Sequence, residues 1–290
     1  MELLNPMPPY NLFGIFGHEY DKAKFVVLPI PYDHTVTYKA GTRDGPQAII
    51  VASRHTEFFN EETDSDIRDI GVYTLDELAP DLSSPENMVK RIEREVSLIL
   101  DDKKIPVLIG GEHTISIGAI RALSKISKSF SVLQFDAHTD LRDEYLGAKY
   151  CHATVMARAR ELCKSCYSVG IRSMGEGDKK YNKEILYMKE MHKMKIDEIV
   201  KTIVKNTSED IYLTIDFDVI NPREMPSVGT PEPDGIDFYD LKEILKGVLE
   251  HKRVLGMDFV ELMPIPEFSA PNSLAAKLIY FAISYAAKKK

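Results

Sequence analysis

Acidic and imidazole side chains alternate along one short segment in the middle of this chain. Asp136, His138 and Asp140 are separated by single residues and follow the apolar run 131–135. In an extended backbone, alternate side chains point to the same side of the chain. Two carboxylates and an imidazole that converge in this way repel or desolvate one another unless a cation lies between them. The segment therefore predicts a metal site.

Two further segments place the same kinds of residue at the ends of apolar runs. The run 211–215 leads into Asp216 and Asp218, and the run 105–109 leads into Gly-Gly-Glu-His, which ends at His113. We expect all three runs to be buried strands that deliver metal-ligating groups at their carboxyl ends. One such residue alone is often a solvated acid or a packed histidine, but three strand ends with matched groups favour a common site.

The six predicted ligands offer four carboxylates and two imidazoles. Four negative charges match two divalent cations, and oxygen and nitrogen donors without cysteine suit Mn²⁺, with Co²⁺, Fe²⁺ or Zn²⁺ as alternatives. Two ions about 3.5–4 Å apart can share a water molecule and lower its pKa, which gives a hydroxide nucleophile near neutral pH. We therefore expect two Mn²⁺ ions per subunit. The ligands are His113, Asp136, His138, Asp140, Asp216 and Asp218.

Composition excludes several classes of protein. The 290 residues carry a formal net charge of -8 at pH 7, so a basic surface that binds nucleic acid is not expected. No apolar run approaches the length of a membrane span, so no membrane partner is expected. The three cysteines are an odd number, and the first residues do not resemble a signal peptide. We therefore expect a cytoplasmic protein without a disulfide framework.

Apolar, strand-like runs alternate along the chain with amphipathic segments of helical length. This alternation indicates a parallel sheet covered by helices on both faces, and the length fits one large domain or two small ones. In such sheets, ligands bind beyond the carboxyl ends of the strands, where all three clusters fall. Strands are predicted at 24–30, 105–109, 131–135, 166–171, 211–215 and 253–257, and helices at 45–58, 84–100, 114–128, 153–162, 178–190, 195–205, 237–250 and 271–287.

The motifs resemble those of the ureohydrolase family, which comprises arginases, agmatinases and their relatives. They occur in the order found in that family and span nearly the whole chain. Ser227 and Asp234 replace glycines of the family pattern, and we expect only a local adjustment of the backbone there. The matching segments are 110–113, 136–140 and 216–222, with further matches at 31–33, 41–46 and 258–262.

The resemblance implies a fold, a metal arrangement and an assembly. The fold is a single three-layer α/β/α domain with a parallel sheet, which we expect over residues 1–290. The assembly is a homo-oligomer, either a trimer or a hexamer. Asp136 and Asp216 resemble the carboxylates that bridge the two manganese ions. The remaining ligands form two pairs, His113 with Asp140 and His138 with Asp218.

The resemblance also implies that the chain is an enzyme that hydrolyses a guanidino group. His152 corresponds to the histidine that passes a proton to the leaving amine, and imidazole titrates in the required range. Glu261 resembles the glutamate that pairs with the guanidinium through two hydrogen bonds. Asp140 would also accept a hydrogen bond from the nucleophile, a hydroxide that bridges the metals. A surface role remains the alternative for His152 and for Glu261.

The loop at 141–152 bears on the substrate. It lacks the pattern rich in asparagine, serine and threonine that arginases show there, and it resembles the agmatinase version. Asp143 and Glu144 could meet a protonated amine tail, although loop acids are often only solvated. We therefore expect hydrolysis of agmatine to urea and putrescine, a step of polyamine biosynthesis. Aminopropylagmatine is the nearest alternative, ahead of arginine, other guanidino compounds and formiminoglutamate.

Two other hypotheses are weaker. Cys163 and Cys166 have the spacing of a redox dithiol, but no thioredoxin-like pattern accompanies them. A binding or regulatory subunit that holds metal without turnover would be expected to have lost a ligand. None of the six predicted ligands is replaced.

Overall fold

A parallel sheet of eight strands forms the centre of the computed structural model. The structure describes residues 6–288, so the first five and the last two residues of the domain expected over 1–290 lie outside it. The strands of the described part are β1 (Phe25–Ile30), β2 (Phe59–Asn60), β3 (Ser65–Asp66), β4 (Val72–Thr74), β5 (Ile105–Gly110), β6 (Ser131–Phe135), β7 (Ser165–Ile171), β8 (Ile185–Tyr187), β9 (Asp210–Asp216) and β10 (Arg253–Val260). β2 and β3 form a separate antiparallel hairpin, and the order in the sheet is β4-β1-β5-β10-β9-β6-β7-β8.

Helices cover both faces of the sheet, which gives the three layers that the sequence predicts. In the described residues they are α1 (Gly45–Ser53), α2 (Ile67–Ile70), α3 (Pro85–Asp101), α4 (Ile115–Ile126), α5 (Val155–Arg160), α6 (Met188–Met191), α7 (Ile196–Asn206), α8 (Phe238–His251) and α9 (Ala270–Lys288). One apolar cluster joins the sheet to α1, α7, α8 and α9, and a second joins it to α3, α4 and α5. None of the helices within residues 6–288 has the length and apolar character needed to cross a membrane.

The strands are apolar throughout because both of their faces are buried. Along β1, Phe25 and Val27 belong to the first cluster, whereas Val26 and Leu28 belong to the second. All four side chains are at most 3 % exposed. A strand that packs against helices on both sides needs apolar residues at consecutive positions, and this explains the unbroken runs in the sequence.

α3 shows how local sequence sets the bounds of a helix. The side chain of Ser84 accepts a hydrogen bond from the backbone N–H of Asn87, and Pro85 occupies the first turn. Met88, Ile92 and Val96 lie one turn apart and are fully buried. The helix predicted at 84–100 is thus confirmed to within one residue at each end.

Some predicted elements differ from those observed. The helix expected at 45–58 ends at Ser53, because the chain turns there and continues into the β2–β3 hairpin. The helix expected at 178–190 is instead a 3-10 segment at Glu176–Glu184, followed by β8 and the short α6. β4 and β8, the two edge strands, were not predicted, because three residues are too few to show a periodic pattern.

Candidate functional site

Four central strands deliver the predicted site residues to one edge of the sheet. Phe259 of β10 pairs with Ile109 of β5 on one side and with Ile215 of β9 on the other. Ile215 pairs in turn with Phe135 of β6. These four residues therefore lie side by side, and the polar residues that follow them meet at the carboxyl ends of the strands. This is where parallel sheets place their ligand sites.

His113 lies at the centre of the first group of predicted ligands. Its Nδ1 atom is 3.2 Å from Oδ2 of Asp136, 3.0 Å from Oδ2 of Asp140 and 3.6 Å from Oδ2 of Asp216. This nitrogen is buried and has no hydrogen-bond partner among the described residues. A buried polar atom without a partner is costly, so its place among three carboxylates fits a metal ligand.

His138 forms a second group, which shares Asp136 with the first. Its Nδ1 atom lies 2.8 Å from Oδ2 of Asp218 and 3.7 Å from Oδ1 of Asp136. Ligand atoms of Asp136, His138 and Asp218 all lie within 4.8 Å of one another, as do those of His113, Asp136 and Asp140. Two overlapping sets with a common carboxylate are the arrangement that a pair of cations requires.

The ring of His113 is oriented by residues that carry no local signal in the sequence. Its Nε2 atom lies 2.8 Å from the hydroxyl of Thr214, and that hydroxyl donates to Oδ1 of Asp258 at 2.6 Å. Tyr212 donates to the other oxygen of Asp258 at 2.5 Å. Because the hydroxyl of Thr214 already donates, it accepts from Nε2–H of His113, and Nδ1 keeps its lone pair. Partners of this kind typically fix the tautomer of a metal-binding histidine.

The pKa shifts within the two groups of predicted ligands indicate an excess of negative charge. Burial and the nearby Asp136 raise the pKa of Asp140 to about 6, and burial together with Asp218 raises that of Asp216 well above its usual value. Burial opposes the charge of His138, but Asp218 and Asp136 raise its pKa to about 12. The negative charge of the carboxylates thus stabilises the protonated forms of neighbouring side chains. Divalent cations bound at the same place would displace those protons.

A cavity of about 210 Å³ opens above these ligands and contains the predicted catalytic residues. His113, Asp140 and Asp216 contribute to its lining together with His152 and Glu261. The structure therefore brings the predicted ligands and the two predicted substrate-side residues to one place. Asp136 and Asp218 are buried directly behind this lining.

Glu261 is held in an unusual backbone conformation at the end of β10. Its φ is 68°, and Asp140 has a φ of 50°, so both side chains start from left-handed positions that favour glycine. Oε1 of Glu261 accepts a hydrogen bond from the backbone N–H of His113 at 2.7 Å. Burial and Glu112 raise the pKa of the Glu261 carboxyl well above its usual value. Strained residues of this kind concentrate at functional sites.

His152 lies against the cavity wall, with its ring edge-on to Tyr145 at a centroid distance of 6.0 Å. Its Nδ1 atom is 3.3 Å from the hydroxyl of Thr35, and its Nε2 atom is 3.5 Å from that of Thr37. Burial, followed by His113 and His138, lowers the pKa of His152 to about 4. The imidazole is therefore neutral at neutral pH. A neutral His152 must first accept a proton before it can donate one.

The loop acids expected to meet an amine tail lie elsewhere. Asp143 is paired with Arg158, and within the described residues neither Asp143 nor Glu144 lines the cavity. Two cations, Lys39 and Arg142, line it instead. The sequence could not indicate this, because it does not show which side of a loop faces a cavity.

The two cysteines with redox spacing are remote from this site. The sulfur atoms of Cys163 and Cys166 lie 3.5 Å apart at the start of β7. All metal-type ligands lie beyond the opposite ends of the parallel strands. The dithiol therefore does not contribute to the cavity.

Comparison with known proteins agrees with this geometry. The model of the Arginase family matches residues 23–284. An N(1)-aminopropylagmatine ureohydrolase from Synechocystis sp. is 34% identical over 278 residues, which covers 92% of this chain and 90% of the relative. An agmatinase from Bacillus subtilis is 33% identical over 270 residues, with 90% and 91% of the two chains covered. The crystal structure of the agmatine ureohydrolase of Thermoplasma volcanium superposes with a TM-score of 0.86 at 32% identity and covers 93% of this chain and 92% of that one. The chain belongs to the arginase family of hydrolases.

Proposed function

We propose that this protein is a binuclear manganese hydrolase that cleaves agmatine to putrescine and urea. The observation that carries the proposal is the buried Nδ1 of His113, which has no hydrogen-bond partner in the described part of the chain and lies among three carboxylates at the base of a cavity that also contains Glu261. The agmatinases among the relatives support the choice of substrate. N(1)-aminopropylagmatine is the second candidate, since relatives of that name are 34% identical to this chain.

Six residues would hold the two ions. Asp136 belongs to both candidate ligand sets, and Asp216 lies 3.6 Å from Nδ1 of His113, so these two carboxylates would be suited to bridging. When bound, two Mn²⁺ ions supply a water molecule activated for attack on the guanidinium carbon. His113 and Asp140 would help to hold one ion, and His138 and Asp218 would help to hold the other.

Glu261 would bind and orient the guanidinium. Within residues 6–288 its carboxylate accepts one backbone hydrogen bond, from His113, so both oxygens keep lone pairs for the planar N–H groups of the substrate. Burial and Glu112 raise the pKa of this carboxyl, and a guanidinium beside it would favour the charged form. Orientation of the reacting carbon is the main contribution expected from this pairing.

His152 would move the proton that hydrolysis requires. Cleavage of the C–N bond releases urea and an amine, and the departing nitrogen must gain a proton that the attacking water has lost. A neutral imidazole at the cavity wall can take up the proton and then deliver it. At rest, His152 therefore lacks the proton that a simple general acid would already carry.

A substrate panel tests the proposal. Purified protein is stripped of metal, reloaded with Mn²⁺ and assayed for urea release from agmatine, N(1)-aminopropylagmatine, arginine and 4-guanidinobutyrate, with bound metal measured in parallel. We expect two Mn²⁺ ions per chain and the highest kcat/KM for agmatine. Preference for aminopropylagmatine would favour the second candidate. No urea release from any compound by the reloaded protein would contradict the proposal.

Asp218→Asn is the matched variant for this assay. It preserves the size of a buried side chain that also accepts a hydrogen bond from the backbone N–H of Ala137 at 3.0 Å. Bound metal and urea release should fall together in the variant. We further propose that the protein is a cytoplasmic homo-oligomer, a trimer or a hexamer, and analytical ultracentrifugation would measure the assembly.

A further inference from the structure

Thr35 lies between the proposed proton carrier and a buried acid. It belongs to the loop that follows β1, and its hydroxyl oxygen is 3.3 Å from Nδ1 of His152. The same oxygen accepts a hydrogen bond from the backbone N–H of His152, also at 3.3 Å. On its other side it lies 2.9 Å from both carboxyl oxygens of Glu112. Three segments far apart in the sequence therefore meet at one hydroxyl group.

The hydrogen-bond directions along this chain of groups follow from the chemistry of the partners. Glu112 is fully buried and also accepts from the backbone N–H of Thr35 at 2.8 Å. The hydroxyl of Thr35 donates its single hydrogen to the carboxyl group of Glu112. Its lone pairs then remain to accept from His152, while the hydroxyl of Thr114 also lies 3.3 Å from the same oxygen. The ring atom Nδ1 can form a hydrogen bond to such a lone pair only as an N–H donor.

We infer that Thr35, itself held by Glu112, is a positioning residue that keeps the proton of neutral His152 on Nδ1. This inference rests on the proposed function, in which His152 moves a proton. With Nδ1 occupied, the lone pair of His152 is on Nε2, and Nε2 is the atom that takes up the proton and passes it to the departing amine. The partner of one ring nitrogen commonly decides the role of the other in this way.

Loss of the hydroxyl would affect the ring in two ways. The Nε2–H tautomer would become accessible, because the hydroxyl of the exposed Thr37 lies 3.5 Å from Nε2 and can accept its proton. The ring would also lose one of the contacts that hold it at the cavity wall, leaving the edge-on packing against Tyr145. Both changes reduce the fraction of molecules in which Nε2 can accept a proton. Neither change removes a group that would hold substrate or metal.

Thr35→Val and Thr35→Ser are the matched variants, because valine keeps the branched shape without the hydroxyl and serine keeps the hydroxyl. In the Mn²⁺-loaded enzyme with its best guanidino substrate, we expect Thr35→Val to lower kcat by about tenfold, a fraction of the full acid–base contribution. KM should change by less than about twofold, because ground-state binding is untouched. Bound metal should be unchanged, and Thr35→Ser should recover most of the lost kcat.

A double-mutant cycle separates this role from a purely structural one. In a His152→Ala background, Thr35→Val should have no further effect on kcat, since the residue it positions is gone. An equal loss of kcat in that background, or a kcat for Thr35→Val equal to that of the wild type, would overturn the inference.

Nitrogen chemical shifts of ¹⁵N-histidine-labelled, Zn²⁺-loaded protein provide a readout that needs no turnover. The wild type should show His152 with its proton on Nδ1, and Thr35→Val should shift the population towards Nε2. A wild-type His152 protonated on Nε2 would also overturn the inference. Absence of urea release from every guanidino compound would contradict the proposed function alone, since the tautomer is still measured by the shifts.

Discussion

Oε1 of Glu261 and the backbone N–H of His113 are joined by a hydrogen bond of 2.7 Å. This hydrogen bond fixes the proposed guanidinium-binding residue relative to a proposed metal ligand. A second hydrogen bond joins the same two segments, since the N–H of Glu261 donates to the carbonyl of Gly111 at 2.8 Å. The two residues follow adjacent strands, β10 and β5, so the distance between the proposed guanidinium site and the proposed metal site is set by the sheet itself. Fixed geometry of this kind is what positions a reacting carbon.

Glu261→Gln should therefore impair substrate binding while metal binding is kept. The amide oxygen can still accept from the N–H of His113, but the charge-assisted pairing with a guanidinium is lost. We expect kcat/KM to fall by about ten- to a hundredfold, the range for a hydrogen bond to a charged group. Steady-state kinetics and metal analysis measure the two effects. Glu267→Gln, on an exposed residue that also has a positive φ of 62°, is the control and should behave as the wild type. Loss of metal from Glu261→Gln would contradict the assigned role.

Metal should stabilise the protein more at pH 8 than at pH 5. In metal-free protein, burial and Asp136 raise the pKa of Asp140 from 3.8 to about 6. A carboxyl group with a raised folded pKa contributes most to stability below its unfolded pKa, and this contribution is lost as pH rises from about 4 to about 6. The raised pKa of His138 acts in the same direction, since its contribution is complete below pH 6.5 and is lost towards about pH 12.

Bound metal reverses this trend, because its ligands must be deprotonated and protons compete with it at low pH. Thermal unfolding with Mn²⁺ and with a chelator, at both pH values, measures the difference. The shift in Tm on metal binding should be larger at pH 8. A Tm shift that is equal at pH 5 and pH 8, or larger at pH 5, would show that these carboxyl groups do not take up protons when the metal leaves. Asp218→Asn should reduce the shift at both values.

The central strands and the ligands at their ends can be predicted from sequence because burial leaves a clear local pattern. A strand buried on both faces must be apolar throughout, so a run such as 131–135 is visible without an alignment, and polar residues at its end are conspicuous. Parallel connections then bring Asp136 and Asp216 to the same edge. Local pattern alone was sufficient for these features.

Other features depend on contacts between distant parts of the chain. Thr35 reaches His152 across 117 positions, and Thr214 reaches His113 across 101 positions. A single hydroxyl in a loop or strand carries no local signal of such a contact. The orientation of the loop at 141–152 also depends on long-range packing, so the sequence leaves open whether Asp143 contacts the substrate or only solvent, whereas in the structure it pairs with Arg158.

Gly111 is a position where the site depends on the absence of a side chain. A Cβ atom there would lie 2.0 Å from the backbone oxygen of Tyr32 and 2.7 Å from its carbonyl carbon. Gly111→Ala should therefore displace the segment that carries His113 and lower the free energy of unfolding by about 1–3 kcal/mol, as overpacking typically does. Chemical denaturation measures the change. Gly177→Ala is the matched control, because beyond its own segment no described atom lies within 4 Å of the added Cβ. Equal stability of the two variants would contradict the close packing.

Arg142 offers a test of the charge on the substrate tail. It lines the cavity, is exposed, and lies with its guanidinium 4.7 Å from the ring centroid of Tyr145. An ammonium tail is repelled by this cation, whereas a carboxylate tail is attracted. Arg142→Gln should therefore lower the KM for agmatine by about two- to fivefold at low salt, the usual size of an exposed charge interaction.

The same variant should raise the KM for 4-guanidinobutyrate, because that substrate loses an attractive charge. Both effects should shrink at high ionic strength, where exposed charges are screened. Arg142→Lys keeps the charge and is the matched control, so it should leave both constants near the wild-type values. A rise in KM for agmatine with Arg142→Gln, at both salt concentrations and without any change for 4-guanidinobutyrate, would show that Arg142 acts by holding Tyr145 and the loop in place. The charge of the tail would then have to be selected by groups deeper in the cavity.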